Sequence, residues 1–226
     1  MSSVTWGRIL ENSSFILSYE KENFYRQLDE LENLRVNAAY NTGSISASTA
    51  WLLFSTSYYF KSKKVIEIGT FIGKSTIAIA MGMHKEFDDC EIHTCDASND
   101  IKLPNVKNVK ITQYPKLGSS EMLQSLEANA SNNGIFDLIH IDGRLMPNDY
   151  KPLKKILSDK AIIVIDDFEG VEKGVINAIN LKNNGFEEDY FLVYPPEEKL
   201  LKKYGLSSSS TTGLLLPKKI ITLSAQ

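Results

Sequence analysis

The sequence predicts a doubly wound α/β domain, and three observations carry that reading. Five short segments suited to strands recur between residues 64 and 165, separated by helical stretches. One of them, Ala161-Ile-Ile-Val-Ile165, is apolar throughout, as expected for a strand covered on both faces of a parallel sheet. The first, Val65-Ile-Glu-Ile68, runs into Gly69, and Gly73 then opens an apolar helix. Strand, tight glycine turn and helix N-terminus in that order suit a nucleotide-type cofactor at the strand's carboxyl end.

The elements follow in chain order. Phe24, Leu28, Leu31 and Leu34 keep helical spacing within residues 18–37, and Ser18 is placed to cap the start. A polar break, Asn41-Thr42-Gly43-Ser44, precedes a helix over about 46–59 with Trp51, Leu52, Leu53 and Phe54. Strands are expected near 64–68, 91–95, 107–112, 136–141 and 161–165, and helices near 73–84, 119–130, 148–157 and 171–182. Phe191-Leu-Val-Tyr194 and Lys219-Ile-Ile-Thr-Leu223 read as an antiparallel hairpin, which completes a mostly parallel seven-stranded sheet with helices on both faces. Between them, Pro195 to Pro217 with its run Ser207-Ser-Ser-Ser-Thr-Thr-Gly213 reads as a slack loop rather than a mobile lid. The domain reading is a helical segment, 1–60, packed on a core, 61–226, as one structural domain.

Bulk properties narrow the function. A chain of 226 residues suffices for one α/β domain with a sizeable core. A net charge of −3 implies no general nucleic-acid or anionic-membrane surface. No apolar run reaches 18 residues, and the N-terminus lacks a basic stretch followed by an apolar one, so the cytoplasm is the expected location. Cys90 and Cys95 lie five apart on one strand, on opposite faces, and cannot pair with each other.

The glycine turn admits three readings. Gly69-Thr-Phe-Ile-Gly73-Lys74-Ser75 resembles a triphosphate-binding loop, and Asp166-Asp167 resembles the magnesium strand of such enzymes, but three residues separate the glycines where four are required. A dinucleotide fingerprint needs glycine two positions after the first, where this chain has the bulky Phe71. A phosphate-free, cationic cofactor fits better, because its amino group and sulfonium favour acidic neighbours. Glu67-x-Gly69-x-x-x-Gly73 resembles motif I of class I methyltransferases, and Asp96 ends the next strand where a carboxylate can accept ribose hydroxyls. Lys74 is essential to the triphosphate reading and a surface lysine in this one.

Two further strands end in carboxylates. Phe136-Asp-Leu-Ile-His-Ile-Asp142-Gly143 and Ala161-Ile-Ile-Val-Ile-Asp166-Asp167 bring Asp142, Asp166 and Asp167 to one edge of a doubly wound sheet. Their mutual repulsion would be relieved by a hard cation such as Mg²⁺, which can also lower the pKa of a bound hydroxyl. Methyl transfer to that oxygen is then largely a matter of positioning.

With these residues the chain resembles the metal-dependent, Rossmann-like O-methyltransferases related to the catechol and caffeoyl-CoA enzymes, closest to the branch that methylates antibiotic sugars. The resemblance spans roughly residues 40–182. It implies S-adenosylmethionine and a divalent cation as cofactors, with Asp142, Asp166 and Asp167 as metal ligands. It further implies that Glu67, Gly69, Thr70, Gly73, Ser75, Asp96, Ala97 and Asp142 line the cofactor. Asn41, Thr42 and Ser44 would lie over its methionine end, and Ser119 and Ser120 would form the adenine-side turn or cap a helix. The implied acceptor is a small hydroxylated molecule: a sugar, a phenol or another secondary metabolite.

The chain departs from the family in its base. Catechol-type enzymes place a lysine three residues after the first metal aspartate, and here that position is Leu145. Arg144 follows Asp142-Gly143 where relatives carry an acidic residue or a histidine. Asp142 as base, or metal activation without a dedicated base, remain open, and Arg144 either binds an anionic acceptor or is a solvated surface residue. His140 reads as a core residue, and His93 with Cys95 lacks the further ligands of a zinc site. The N-terminal helices, with Trp6, Phe15 and Tyr19, either cover the acceptor or form a homodimer contact. The alternatives are a metal-independent enzyme of the same fold with Asp142 as base, an inactive cofactor-binding relative, which the missing lysine allows, or the triphosphate-binding reading.

Overall fold

The computed structural model describes residues 2–16, 18–38, 43–83, 87–97, 101–129, 135–186 and 188–223. Helices α1 (Ser2–Ser13), α2 (Ser18–Glu30) and α3 (Ala47–Phe60) precede the sheet, with a 3₁₀ segment over Leu31–Asn37. The core then runs β1 (Lys64–Ile68), α4 (Lys74–Gly82), β2 (Cys90–Asp96), β3 (Val109–Pro115), α5 (Ser119–Asn129), β4 (Phe136–Ile141), α6 (Tyr150–Ile156) and β5 (Leu157–Ile165). A wide helical turn over Val171–Val175 leads into α7 (Ile176–Leu181), followed by β6 (Tyr190–Val193), α8 (Glu198–Lys203), β7 (Gly213–Pro217) and α9 (Lys218–Leu223). No helix among the described residues is long and apolar enough to cross a membrane.

Among the described residues the sheet has seven strands in the order β3-β2-β1-β4-β5-β7-β6, parallel except for β7. The chain reverses its direction of build between β1 and β4, and in open α/β sheets ligands bind at that switch point, at the strands' carboxyl ends. Each sheet face carries its own apolar layer. One joins Trp6, Phe24, Trp51, Leu52, Ile79 and Ile92; the other joins Met122, Leu123, Leu153, Ile156 and Leu181 to Ile66 and Ile139. Cys90 belongs to the first layer and Cys95 to the second, as their odd spacing requires, and both are buried.

α3 is buried from Ser48 to Ser57. The sheet and α4 lie beneath it and α1 and α2 above. Trp51 stacks on Phe54 at 4.8 Å between ring centroids, and Phe24 of α2 meets both edge-on. Ser46 caps α3, its side chain accepting the Thr49 N–H at 3.1 Å. Ser18, expected as a cap, is itself the first residue of α2.

The C-terminal third departs from expectation. Lys219–Leu223 belongs to α9, and the partner of β6 is β7, Gly213–Pro217. The choice follows from burial: Gly213-Leu-Leu-Leu-Pro217 is buried throughout and is wedged between β5 and β6, where an apolar strand without charges is required. The stretch expected to be slack is docked. Ser46 Oγ donates to the Ser209 carbonyl at 2.9 Å, Ser208 Oγ accepts the Ser48 N–H at 3.0 Å, and the Thr49 and Ser210 hydroxyls bond at 2.8 Å. Its hydroxyls line up along the start of α3 as a polar seam.

Candidate active site

A cleft of about 990 Å³ opens at the β1/β4 switch point. Its walls include Ser44, Gly69, Thr70, Gly73, Ser75, Asp96, Ala97, Ser119, Ser120, Asp142, Arg144, Asp166 and Asp167. Of the expected site residues, Asn41 and Thr42 lie outside the described residues, and Glu67 is not on the wall.

The glycine turn is built for close approach. Gly69 (φ +102°), Phe71 (φ +44°) and Gly73 (φ +81°) are all left-handed. A side chain at Gly69 would press on the Asp142 and Gly143 backbone at 3.1–3.3 Å, so the turns after β1 and β4 sit directly against each other. The turn's own N–H groups are consumed internally. Those of Gly69 and Thr70 donate to the Cys95 carbonyl at 3.0 and 3.1 Å, that of Gly73 to the Thr70 carbonyl at 2.7 Å, and that of Phe71 to Asp96 Oδ2 at 2.8 Å. Asp96 thus shapes the turn while standing on the cleft wall.

Glu67 sits behind this turn, fully buried, instead of facing the cleft. It is in register with Thr94 of β2 and His140 of β4, so all three point to the same sheet face. Its carboxylate accepts from Thr76 Oγ1 and, at 2.7 Å, from Thr94 Oγ1, and pairs with His140 Nδ1 at 3.2 Å. Burial pulls the His140 imidazole down, but the hydrogen bond and charge of Glu67, with Asp142 and Asp166, outweigh it and hold its pKa up. The core position expected for His140 and the acidic residue expected in the site are therefore one ion pair.

Lys74 does not enter the turn. Its side chain, 12% exposed, reaches Glu32 Oε1 of the 3₁₀ segment at 3.0 Å. Arg35 binds the other Glu32 oxygen at 2.7 Å, Ser44 Oγ donates to Oε1 at 2.8 Å, and the Arg35 guanidinium lies over the Phe71 ring at 5.1 Å. Burial pushes the Glu32 carboxyl up, but the hydrogen bonds of Arg35, Lys74 and Ser44 with the Lys74 charge together outweigh it and hold its pKa down to about 2. Ser44 lines the cleft from this latch rather than from a free loop.

Ser119 and Ser120 both stand on the wall at the start of α5. Their hydroxyls donate to Asp149 Oδ2 and Oδ1 at 2.5 Å each, and Asp149 Oδ2 also accepts the Met146 N–H at 2.8 Å. Asp149, fully buried, thereby fixes both the serine turn and the loop after Asp142. Sequence reasoning missed it, although Asp before a helix was the available signal.

The three carboxylates expected to bind a metal share the cleft but are engaged differently. Asp166, 5% exposed, accepts Thr212 Oγ1 at 3.0 Å and Thr211 Oγ1 at 3.2 Å. Asp142 and Asp167 share a cation that sequence reasoning also missed: Lys173 Nζ lies 2.7 Å from Asp167 Oδ2 and 3.4 Å from Asp142 Oδ1. Burial, reinforced by Asp166, pushes the Asp142 carboxyl up to about 6, and the charges of His140 and Lys173 only partly offset this. For Lys173, burial is outweighed by the two carboxylates, which raise its pKa and keep the ammonium charged. No three acidic, histidine or cysteine side chains among the described residues converge in a metal-holding group. With an ammonium between two of its three ligands and hydroxyls on the third, this donor set does not fit a divalent ion as arranged. Arg144, on the cleft wall, pairs with Glu172 at 3.6 Å, with both side chains largely exposed, an arrangement of little energetic worth.

Comparison with known proteins agrees with this geometry. A family model described as a methyltransferase domain matches residues 66–168. The O-methyltransferase hkm8 of Aspergillus hancockii is 29% identical over 132 residues, covering 54% of this chain and 48% of that protein. The chain thus spans about half the length of this curated relative. The O-methyltransferase of Bacillus cereus, solved in complex with SAH, superposes with a TM-score of 0.58 at 16% identity, covering 95% of this chain and 99% of that one. The O-methyltransferase TomG of Streptomyces achromogenes, involved in tomaymycin synthesis and solved with SAM, gives a TM-score of 0.51 at 16% identity, covering 96% and 99%. Residues 66–168 thus match a methyltransferase domain, and the chain shares the fold of these solved O-methyltransferases.

Proposed function

We propose that this chain transfers the methyl group of S-adenosylmethionine to a hydroxyl oxygen of a small molecule. The observation that carries the reading is the hydrogen bonding inside the glycine turn. The N–H groups of Gly69, Thr70, Phe71 and Gly73 are already given to protein acceptors, so these four are not turned to a phosphate. Lys74 is turned to Glu32, and the carboxylates of Asp96, Asp142, Asp166 and Asp167 on the cleft wall favour a sulfonium and an ammonium. The cleft volume, about 990 Å³, lies at the upper end of small-molecule sites, roughly 300–1,000 Å³, and leaves room for donor and acceptor together.

In this reading Asp96 and Ala97 take the ribose, Ser119 and Ser120 the adenine side, and Ser44 the methionine end. Gly69, Thr70, Gly73 and Ser75 form the floor, and Glu67 supports it from behind. The acceptor enters beside Asp142 and Arg144, with its oxygen in line with the sulfonium methyl, and transfer releases S-adenosylhomocysteine and one proton. In this reading Asp142 receives that proton. Arg144, held only by the exposed Glu172, is available to an anionic group on the acceptor. The magnesium ion implied by the resemblance has no step here, because Lys173 stands between two of its ligands.

Calorimetric titration with S-adenosylhomocysteine tests the reading, with ATP and GTP as controls. Binding of the first and not of the others is expected. Asp96→Ala should weaken it on the order of tenfold or more, the worth of a charge-assisted hydrogen bond. ATP or GTP binding without S-adenosylhomocysteine binding would sink the proposal. Labelled methyl transfer to a panel of sugars and phenols then identifies the acceptor class.

A further inference from the structure

Lys173 is the least expected feature of the cleft. It follows Asp166-Asp167 by a few residues, in the helical turn Val171–Val175, and the fold leaves that turn little freedom. Gly174 is pressed against the strand end: a side-chain carbon there would lie 2.4 Å from the Asp166 carbonyl oxygen and 2.6 Å from the Asp167 carbonyl group. Asp167 itself is left-handed, φ +57°, which turns the chain back over the cleft. The Gly170 N–H closes the loop on the Asp167 carbonyl at 3.1 Å. The lysine stem therefore starts from a fixed base rather than from a mobile surface loop.

Where the ammonium arrives matters as much. It meets Asp167 Oδ2 at 2.7 Å and Asp142 Oδ1 at 3.4 Å, on the cleft wall. Asp166 is committed to Thr211 and Thr212, which hold it from the side of β7. An ammonium carries three donors. Two are matched by carboxylates among the described residues, which leaves one for an oxygen in the cleft that Lys173 lines. A compact point charge with a spare donor, beside the carboxylate nearest the acceptor, supplies what a hard cation supplies at this place: relief of carboxylate repulsion and a contact for a developing oxyanion.

Building on the methyl-transfer reading above, we propose that the Lys173 ammonium is the built-in cation of this active site. It occupies the place of a divalent ion between Asp142 and Asp167 and donates to the acceptor oxygen, so that methyl transfer proceeds without added metal. Lys173 is then a catalytic residue, and Gly174 and Asp167 are its positioning residues.

The test uses the full chain saturated with S-adenosylhomocysteine and titrated with Mn²⁺, followed by electron paramagnetic resonance. Wild type and Lys173→Arg, which keeps the charge, should bind Mn²⁺ only weakly. Lys173→Gln, which frees the carboxylates, should gain a site at least tenfold tighter, with its affinity for S-adenosylhomocysteine changed less than threefold. A wild-type chain that binds Mn²⁺ as tightly as Lys173→Gln, or a Lys173→Gln chain that gains no site, overturns the proposal. With the acceptor identified above, the wild-type rate should be the same in EDTA as in magnesium and should fall at least a hundredfold in Lys173→Gln. A rate abolished by EDTA and restored by magnesium overturns it as well. Failure of wild type to bind S-adenosylhomocysteine defeats the methyl-transfer reading itself, whereas normal binding with any contrary result above defeats only the role of Lys173.

Discussion

At the residue scale, the cleft depends on atoms that have no room to move. Gly174 packs on the Asp166–Asp167 backbone at distances that no side-chain carbon tolerates. Gly174→Ala should cost about 1–3 kcal/mol, the range for overpacking, and reduce methyl transfer by more than its stability loss explains. Urea unfolding beside single-turnover rates separates the two effects. Asp137 offers a pH signature away from the cleft. Its carboxylate accepts the Lys63 and Lys64 N–H groups, the closest at 2.9 Å, yet burial pushes its pKa from 3.8 up to about 6. A carboxyl whose folded pKa lies above its unfolded value binds more protons when folded. Its contribution is therefore fully present below pH 3.8 and is lost as pH rises through about 6. Asp137→Asn keeps an acceptor oxygen without the charge. Relative to it, wild type should lose on the order of 2–3 kcal/mol between pH 4 and 7, read from denaturant unfolding at each pH.

At the element scale, the 3₁₀ segment Leu31–Asn37 acts as a strut against the glycine turn. Glu32 gathers Lys74 of α4, Arg35 of its own turn and Ser44 of the cleft wall. The sequence reading made Lys74 a bystander; its partly buried ion pair gives it a share in shaping the cleft wall. Glu32→Ala and Lys74→Ala should each weaken S-adenosylhomocysteine binding severalfold, and the double variant should be no worse than the stronger single one. Calorimetry on the three variants decides this, and additive losses would mean that the two act separately. The π-widened turn Val171–Val175 and the docked serine run have the same character: locally unremarkable segments whose contacts lie far away in the chain.

At the scale of the whole molecule, the N-terminal helices belong to the core. Trp6 is fully buried, and its indole N–H donates to the Tyr194 carbonyl at 2.9 Å, joining the first helix to the end of β6. Phe15 and Tyr19 remain exposed. Trp6→Ala should cost about 3–5 kcal/mol. It should shift one cooperative transition, seen alike by circular dichroism and tryptophan fluorescence, rather than release a separate N-terminal unit. Two transitions would divide the chain near residue 60 after all.

Local pattern carries far in this chain. Continuous apolar runs, glycines at a strand end and carboxylates closing successive strands made the parallel sheet, the switch point and the cofactor turn legible, because each depends on near neighbours and on the fixed handedness of strand-helix-strand units. Where patterns were equal, context decided. Two apolar segments, Gly213–Pro217 and Lys219–Leu223, competed for the last strand, and the one free of charges was buried. Glu67 read as a cofactor ligand, and only the register of β1 with β2 and β4 showed its partners to be Thr94 and His140. By itself, the sequence determined the fold class, the place of the cleft and four of the carboxylates on its wall, Asp96, Asp142, Asp166 and Asp167. The tertiary structure alone decided which charges meet there, because Lys173 reaches Asp142 across 31 residues of chain, and such contacts leave no local pattern to read.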